Sequence, residues 1–251
     1  MSSFQLKQSV DENGPRRAPR ARPEARVLID FDGTIAAVDT TDALLERFAL
    51  PEWHAIEDAW KAGEIGSREC MARQIDLIRA EPAELDAFIA TLAIDQGVKS
   101  FLAAGNRFGF EMQVVSDGLD RTVNKVLEAN DIDLPVKANA LQHMGGDRWR
   151  LAFPHARENC TPLSGNCKCQ FAAETKDMLT IVVGDGRSDF CVAERADLVF
   201  ATKGLVKHAH AKGLAHFAFT SFDEATKLLE AWWRQTTEQE DAEASQSADT
   251  L

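Results

Sequence analysis

Residues 26–42 read RVLIDFDGTIAAVDTTD, and the fold is decided there. Val27, Leu28 and Ile29 form a short run that is apolar on both faces and too short for a helix, which predicts a buried strand. Two carboxylates, Asp30 and Asp32, follow at its carboxyl end, and Gly33 lets the chain turn sharply. Carboxylates buried at a strand end are costly unless a cation or hydrogen-bond donors meet them. In open α/β sheets ligands bind just beyond the carboxyl ends of the strands, so Asp30 and Asp32 stand where chemistry is usually done. A plain Asp-Gly turn would account for one such cluster, but two further strand ends carry matching ones.

Residues 110–115 read as a second strand, ending in Ser116-Asp117-Gly118. Residues 180–183 read as a third, ending in Gly184-Asp185-Gly186-Arg187-Ser188-Asp189. Helical patterns alternate with these strands, which predicts an α/β fold with a doubly wound, Rossmann-like parallel sheet. Residues 136–141 and 148–153 flank Gly145-Gly146 and suggest a hairpin at the sheet edge. Between the first and second strands, residues 40–94 read as four short helices. Thr40 or Thr41 is the expected N-cap of the first, Pro51 opens the second, Ser67 caps the third and Pro82 opens the fourth. The core is thus expected over residues 26–39 and 95–233, with a last helix at about 223–233. Residues 1–25 interleave Pro with Arg and read as a disordered basic tail; residues 234–251 read as a disordered acidic tail without apolar period.

Bulk properties narrow the function. A chain of 251 residues can bury a full core, and a net charge of -12 disfavours nucleic acid and anionic membrane as partners. No stretch approaches ~18 consecutive apolar residues, and the start of the chain lacks an apolar leader. Five cysteines, an odd number, suit a reducing compartment, and the expected location is cytoplasmic.

Parallel strands bring their three polar ends to one edge. Several carboxylates in one crevice repel each other, and a hard divalent cation relieves that; Mg2+ fits a sparse carboxylate set completed by a phosphate. Ser116 offers a hydroxyl, and Asp117 and Gly118 offer backbone N–H groups to an anion. Lys168 precedes the third strand and can reach a phosphate as a point charge. A carboxylate nucleophile, a second carboxyl, a metal and phosphate ligands are the equipment for phosphoryl transfer.

The ordered set DFDGT, a strand ending in Ser, a Lys, and GDGRSD resembles the haloacid dehalogenase superfamily of phosphohydrolases, over residues 27–189 for the motifs. The resemblance implies that Asp30 is the nucleophile and that Asp32 protonates the leaving alcohol and then activates water. It implies that Asp30, the Asp32 backbone carbonyl and Asp185 hold Mg2+, with Asp189 either a direct ligand or bonded to one, that Ser116 and Lys168 bind phosphoryl oxygens, and that Thr34 supports the loop. The insert matches the cap position of the phosphoserine phosphatase branch, and the acid that reads the substrate there falls on Asp39. Arg73, or Arg68, would face the substrate from this small helical cap. Pro51-Glu52-Trp53, Phe153-Pro154-His155 and Cys160…Cys167-Lys168-Cys169 further resemble phosphatases of methionine salvage. The cysteine spacing is not that of a zinc knuckle, and a reduced loop that positions Lys168 is expected. The expected partner is a small phosphorylated metabolite, and a homodimer is an allowed assembly.

Overall fold

The structure is a computed structural model that describes residues 24–160, 163–172 and 178–248. Seven strands form one sheet in the order β4-β3-β2-β1-β5-β6-β7. At its centre β1 (Glu24–Ile29) pairs in parallel with β2 (Glu111–Leu119) on one side and β5 (Met178–Gly184) on the other. Both faces of β1 are covered, and Val27 and Ile29 are fully buried, as the unbroken apolar run requires. β6 (Leu198–Ala201) and β7 (His216–Ala218) continue the parallel sheet beyond β5. Beyond β2 come β3 (Val136–His143) and β4 (Trp149–Ala152), the expected hairpin, whose antiparallel pairing closes that edge.

Helices cover the sheet. α5 (Val98–Phe108) and α9 (Phe222–Ala248) pack together on one face, joined by Asp95. Its two carboxylate oxygens accept from Gly97 N at 2.8 Å and Phe222 N at 2.9 Å, so one side chain starts both helices. Between them and the sheet, the Phe101 ring meets Phe200 and Phe222 edge-on, with centroids 5.8 and 5.4 Å apart. α6 (Asp120–Ala129) links β2 to β3, while α7 (Phe190–Ala193) and α8 (Lys203–Lys212) flank β6.

The insert after β1 comprises α1 (Thr40–Phe48), α2 (Trp53–Lys61), α3 (Ser67–Ile75) and α4 (Pro82–Ile89). Its two ends meet: Ala36 bridges Ile94, and Asp95 N donates to Ile35 O at 3.0 Å. On its far side it rests on the hairpin, where Trp149 Nε1 donates to Ala80 O at 2.9 Å.

Several expectations are corrected. Asp39, not Thr40 or Thr41, caps α1, and its carboxylate accepts from Asp42 N at 2.9 Å. Ser67 is the first residue of α3 rather than its cap. β2 does not end at Val115 but runs on to Leu119, with a register shift against β3 between those residues. β7 was not anticipated, being three residues long. α9 continues to Ala248, through the stretch expected to be a disordered tail. Once its first turns are packed, each further residue adds one hydrogen bond, so helix-tolerant Gln, Glu and Ala propagate it without an apolar stripe. The basic tail lies outside the described residues except for its last two, Glu24 and Ala25, which begin β1. Lys168 begins a single 3-10 turn, Lys168–Phe171, and residues 173–177 lie outside the described residues. Among the described residues no helix is long and apolar enough to cross a membrane.

Candidate active site

The three polar strand ends converge. Asp30 follows the last residue of β1 and is held in the sheet by its N–H, which donates to Val183 O at 2.9 Å. Its carboxylate is buried, and both Phe31 N, at 2.8 Å, and Lys168 Nζ, at 2.6 Å, engage the same oxygen, Oδ1. Lys168 sits between two carboxylates, with Asp189 Oδ1 at 2.7 Å and Ser188 Oγ at 3.2 Å. Burial works against the ammonium charge, but Asp189 and Asp30 outweigh it and raise its pKa. Asp30 is pushed well above the usual carboxylate range by burial and by Asp189, against the pull of Lys168.

Asp185 and Asp189 come from the loop after β5. Asp189 Oδ2 accepts from Asp185 N at 3.1 Å and Gly186 N at 3.2 Å, which folds the loop back on itself. One carboxylate oxygen from each of Asp30, Asp185 and Asp189 lies within 4.8 Å of the others, a spacing that suits a divalent cation. Burial and Asp189 also raise the Asp185 pKa. Three carboxylates this close repel one another, and a hard divalent cation among them relieves that repulsion, so the donor set fits Mg2+.

Gly33 makes the close packing possible. Its φ of 73° is left-handed, and a Cβ there would lie 2.2 Å from Asp185 Oδ2. Thr34 is buried beside it, and its hydroxyl has no protein partner.

The Asp32 carboxylate takes a separate place from the cation group. Its Oδ1 accepts from Thr40 N at 2.8 Å and from the Thr40 hydroxyl, so the insert's first residue orients it. Its Oδ2 faces Gly118, where a Cβ would lie only 2.3 Å away. Burial and Asp39 push its pKa up to about 7, against those Thr40 bonds. Ser116 is fully buried, and its Oγ accepts from Gly118 N at 2.9 Å, which closes a tight loop beside Asp32.

Four expected residues have their side chains engaged by other protein groups. Asp39 spends its carboxylate on the α1 cap. Arg73 pairs with Glu69 one turn earlier at 3.3 Å, with about half of each side chain exposed. Asp117 directs its carboxylate to Asn166 N, Asn139 Nδ2 and Ser67 Oγ. Arg68 turns to the loop before Lys168, donating from Nη2 to Arg157 O at 3.3 Å. All five cysteines are unpaired.

Sequence reasoning missed Thr40, Lys203 and Asn166. Lys203 donates to Gly33 O at 2.7 Å and reaches Asp185 Oδ2 at 3.2 Å. It follows β6, a fourth parallel strand end, and its φ of 46° is left-handed, so the rule that exposed the other three ends extends to it. Asn166, two residues before Lys168, donates from Nδ2 to Ser116 O and Lys137 O at 2.8 and 2.7 Å. Arg187, in the loop after β5, places its guanidinium over the Trp60 ring of α2 at 5.3 Å, a further contact between insert and core.

Comparison with known proteins agrees with this geometry. The haloacid dehalogenase-like hydrolase profile matches residues 27–194. The chain is 33% identical to a 2-hydroxy-3-keto-5-methylthiopentenyl-1-phosphate phosphatase of Exiguobacterium sp. (strain ATCC BAA-1283 / AT1b), covering 81% of this chain and 96% of that protein. It is 30% identical to the enzyme of the same name from Geobacillus kaustophilus, over 81% of this chain and 94% of that one. Among solved structures, a phosphoserine phosphatase in a phospho-aspartyl intermediate analogue form superposes with a TM-score of 0.62 at 22% identity, over 83% of this chain and 99% of the other, a likeness of fold. Strand order, converging carboxylates and sequence similarity agree: the chain belongs to the haloacid dehalogenase-like hydrolase family.

Proposed function

We propose that this protein is a Mg2+-dependent phosphomonoesterase that hydrolyses a small phosphorylated metabolite through an aspartyl-phosphate on Asp30. The observation that carries the reading is the buried ammonium of Lys168 held between Asp30 and Asp189 at 2.6 and 2.7 Å, beside a carboxylate trio of cation spacing. Asp30, Asp185 and Asp189 would hold Mg2+, together with the Asp32 backbone carbonyl. Bound there, the cation neutralises the trio and the charge of the phosphoryl group.

Asp30 attacks phosphorus with Oδ2, since Phe31 N and Lys168 both engage Oδ1. The bond from phosphorus to the ester oxygen breaks, and Asp32 passes its proton to the departing alkoxide. A carboxyl that titrates near neutrality suits this step and the reverse one, in which ionised Asp32 takes a proton from the water that cleaves the phosphoenzyme. Lys168 and the Ser116 hydroxyl hold phosphoryl oxygens throughout. The insert covers the site and excludes bulk water.

The relatives' names make 2-hydroxy-3-keto-5-methylthiopentenyl-1-phosphate the first substrate to test, and the same role would place the protein in methionine salvage in the cytoplasm. The experiment is phosphate release from that compound, phosphoserine, nucleotides and sugar phosphates, with Mg2+ and with chelator. Release that requires Mg2+ and is lost in Asp30→Asn is expected. Asp30→Asn with undiminished release would refute the nucleophile, and preference for phosphoserine would refute the substrate.

A further inference from the structure

Asp117 has no local task. The N-cap of α6 is Leu119, without a side-chain cap bond, and the carboxylate of Asp117 turns away from that helix. Instead three donors from three separate parts of the chain meet on it. Asn166 N, from the loop before Lys168, donates to Oδ1 at 2.7 Å; Asn139 Nδ2, from β3, donates to Oδ1 at 3.2 Å; Ser67 Oγ, from the first turn of α3, donates to Oδ2 at 3.1 Å. The same Asn166 is 1% exposed and bridges Ser116 O to Lys137 O through its amide. The loop is therefore pinned two residues before Lys168, on the strand end that carries Ser116.

Helix α3 touches that loop a second time. Arg68 N donates to Leu163 O at 3.1 Å, and Gly66 packs so tightly that a Cβ there would lie 3.0 Å from Leu163 Cβ. Insert, loop and strand end thus share one half-buried carboxylate, whose lost contact with water is offset only while its donors stay in place.

We infer that Asp117 is a positioning residue: through Asn166 it sets the loop that carries Lys168, and through Ser67 it makes that setting depend on the docked insert. The inference rests on the phosphatase reading for its kinetic consequence, but not for its structural one. A loop released from this anchor moves Lys168 relative to Asp30, and misplacement of about 1 Å costs about 100-fold in rate.

The test is a double-mutant cycle on kcat/KM for p-nitrophenyl phosphate with Mg2+, alongside amide hydrogen exchange of residues 163–168. Asp117→Ala is expected to lose about 30- to 100-fold, mainly in kcat, and Ser67→Ala about 3- to 10-fold. The double variant should be no slower than Asp117→Ala alone. Asp117→Asn should recover most of the rate, because its Oδ1 still accepts from both nitrogens and its amide can donate to Ser67 Oγ. Exchange of the Asn166 amide should quicken in Ser67→Ala. Losses that multiply in the double variant, or an Asp117→Ala protein of wild-type kcat, overturn the inference. If Asp117→Ala does not fold, unchanged kcat and unchanged exchange in Ser67→Ala overturn it instead. A wild-type protein that releases no phosphate refutes the phosphatase reading, and the exchange of residues 163–168 in Ser67→Ala then still decides the coupling.

Discussion

Gly118→Ala is the sharpest perturbation the site offers, because the residue it disturbs is named by distance. The new methyl would lie 2.3 Å from Asp32 Oδ2, 3.1 Å from Ser116 Oγ and 3.4 Å from Thr41 Oγ1. Gly118 is not in a left-handed conformation, so its backbone accepts alanine and the whole penalty falls on the contact. To restore ordinary contact Asp32 must withdraw by roughly 1 Å, and a displacement of that size costs on the order of 100-fold in rate. Withdrawal is resisted by Thr40, which holds Oδ1 by both its N–H and its hydroxyl. The leaving group tells which function suffers. Nitrophenolate departs without a proton, whereas an alkoxide needs one from Asp32. The kcat/KM for an alkyl ester such as glycerol phosphate should fall by about 100-fold, and that for p-nitrophenyl phosphate by about 10-fold or less. The assay is steady-state phosphate release with Mg2+, with the thermal midpoint as a check on folding. Equal losses for the two esters, or an alkyl ester rate within about 3-fold of wild type, would refute the placement of Asp32 as the proton donor crowded by position 118.

Three further outcomes concern stability. Trp149→Phe removes the bond to Ala80 O and leaves a buried carbonyl unpaired, so urea denaturation should show a loss of about 1–3 kcal/mol. Phe101→Ala empties a fully buried site between Phe200 and Phe222 and should cost about 3–5 kcal/mol by the same measurement. Asp86 of α4 meets Arg121 of α6 at 2.7 and 2.8 Å; slight burial raises its pKa, but the bonds to Arg121 and Lys125 outweigh this and hold it below the usual range. A depressed carboxylate stabilises the fold above its unfolded pKa of about 4 and ceases to do so as pH falls through its folded value. Asp86→Asn should therefore cost about 0.5–1 kcal/mol at pH 7 and nothing once Asp86 is protonated in the folded wild type, read from urea midpoints at pH 7 and at acid pH.

What was legible in the sequence was what one backbone rule controls. A strand buried on both faces reads as an unbroken apolar run, so the polar residues that break or follow the run stand out; Asp30, Asp185 and Asp189 after β1 and β5, and Ser116 within β2, were found in that way. Residues whose role depends on a distant partner were not. Thr40 looks like an N-cap from its neighbours, yet its hydroxyl is taken by Asp32, eight residues back, and the cap passes to Asp39. Arg73 has a sequence-local partner, Glu69, at a spacing of four, and that pairing keeps it on the outer face of α3. Asn166 carries no pattern, and Ser67 only that of a helix cap, because their part in the site comes from Asp117, 49 and 50 residues away. The length of α9 was hidden for another reason: apolar period marks only the packed part of a helix.

The insert enters through Ile35–Ala36 and leaves through Ile94–Asp95, two adjacent dipeptides joined by the Ala36–Ile94 bridge and by the bond from Asp95 N to Ile35 O. Such a doorway makes the 57 or so residues beyond it a graftable cassette, since any segment with ends a bridge apart closes onto the same frame at little extra chain-closure entropy. Selection for a new leaving group can then rewrite one contiguous stretch of the chain while the strand bearing Asp30 stays untouched. Of the ties between insert and core, one reaches a carboxyl given a chemical step. Thr40, just inside the doorway, orients Asp32, so a replacement cassette inherits the duty of supplying that hydroxyl.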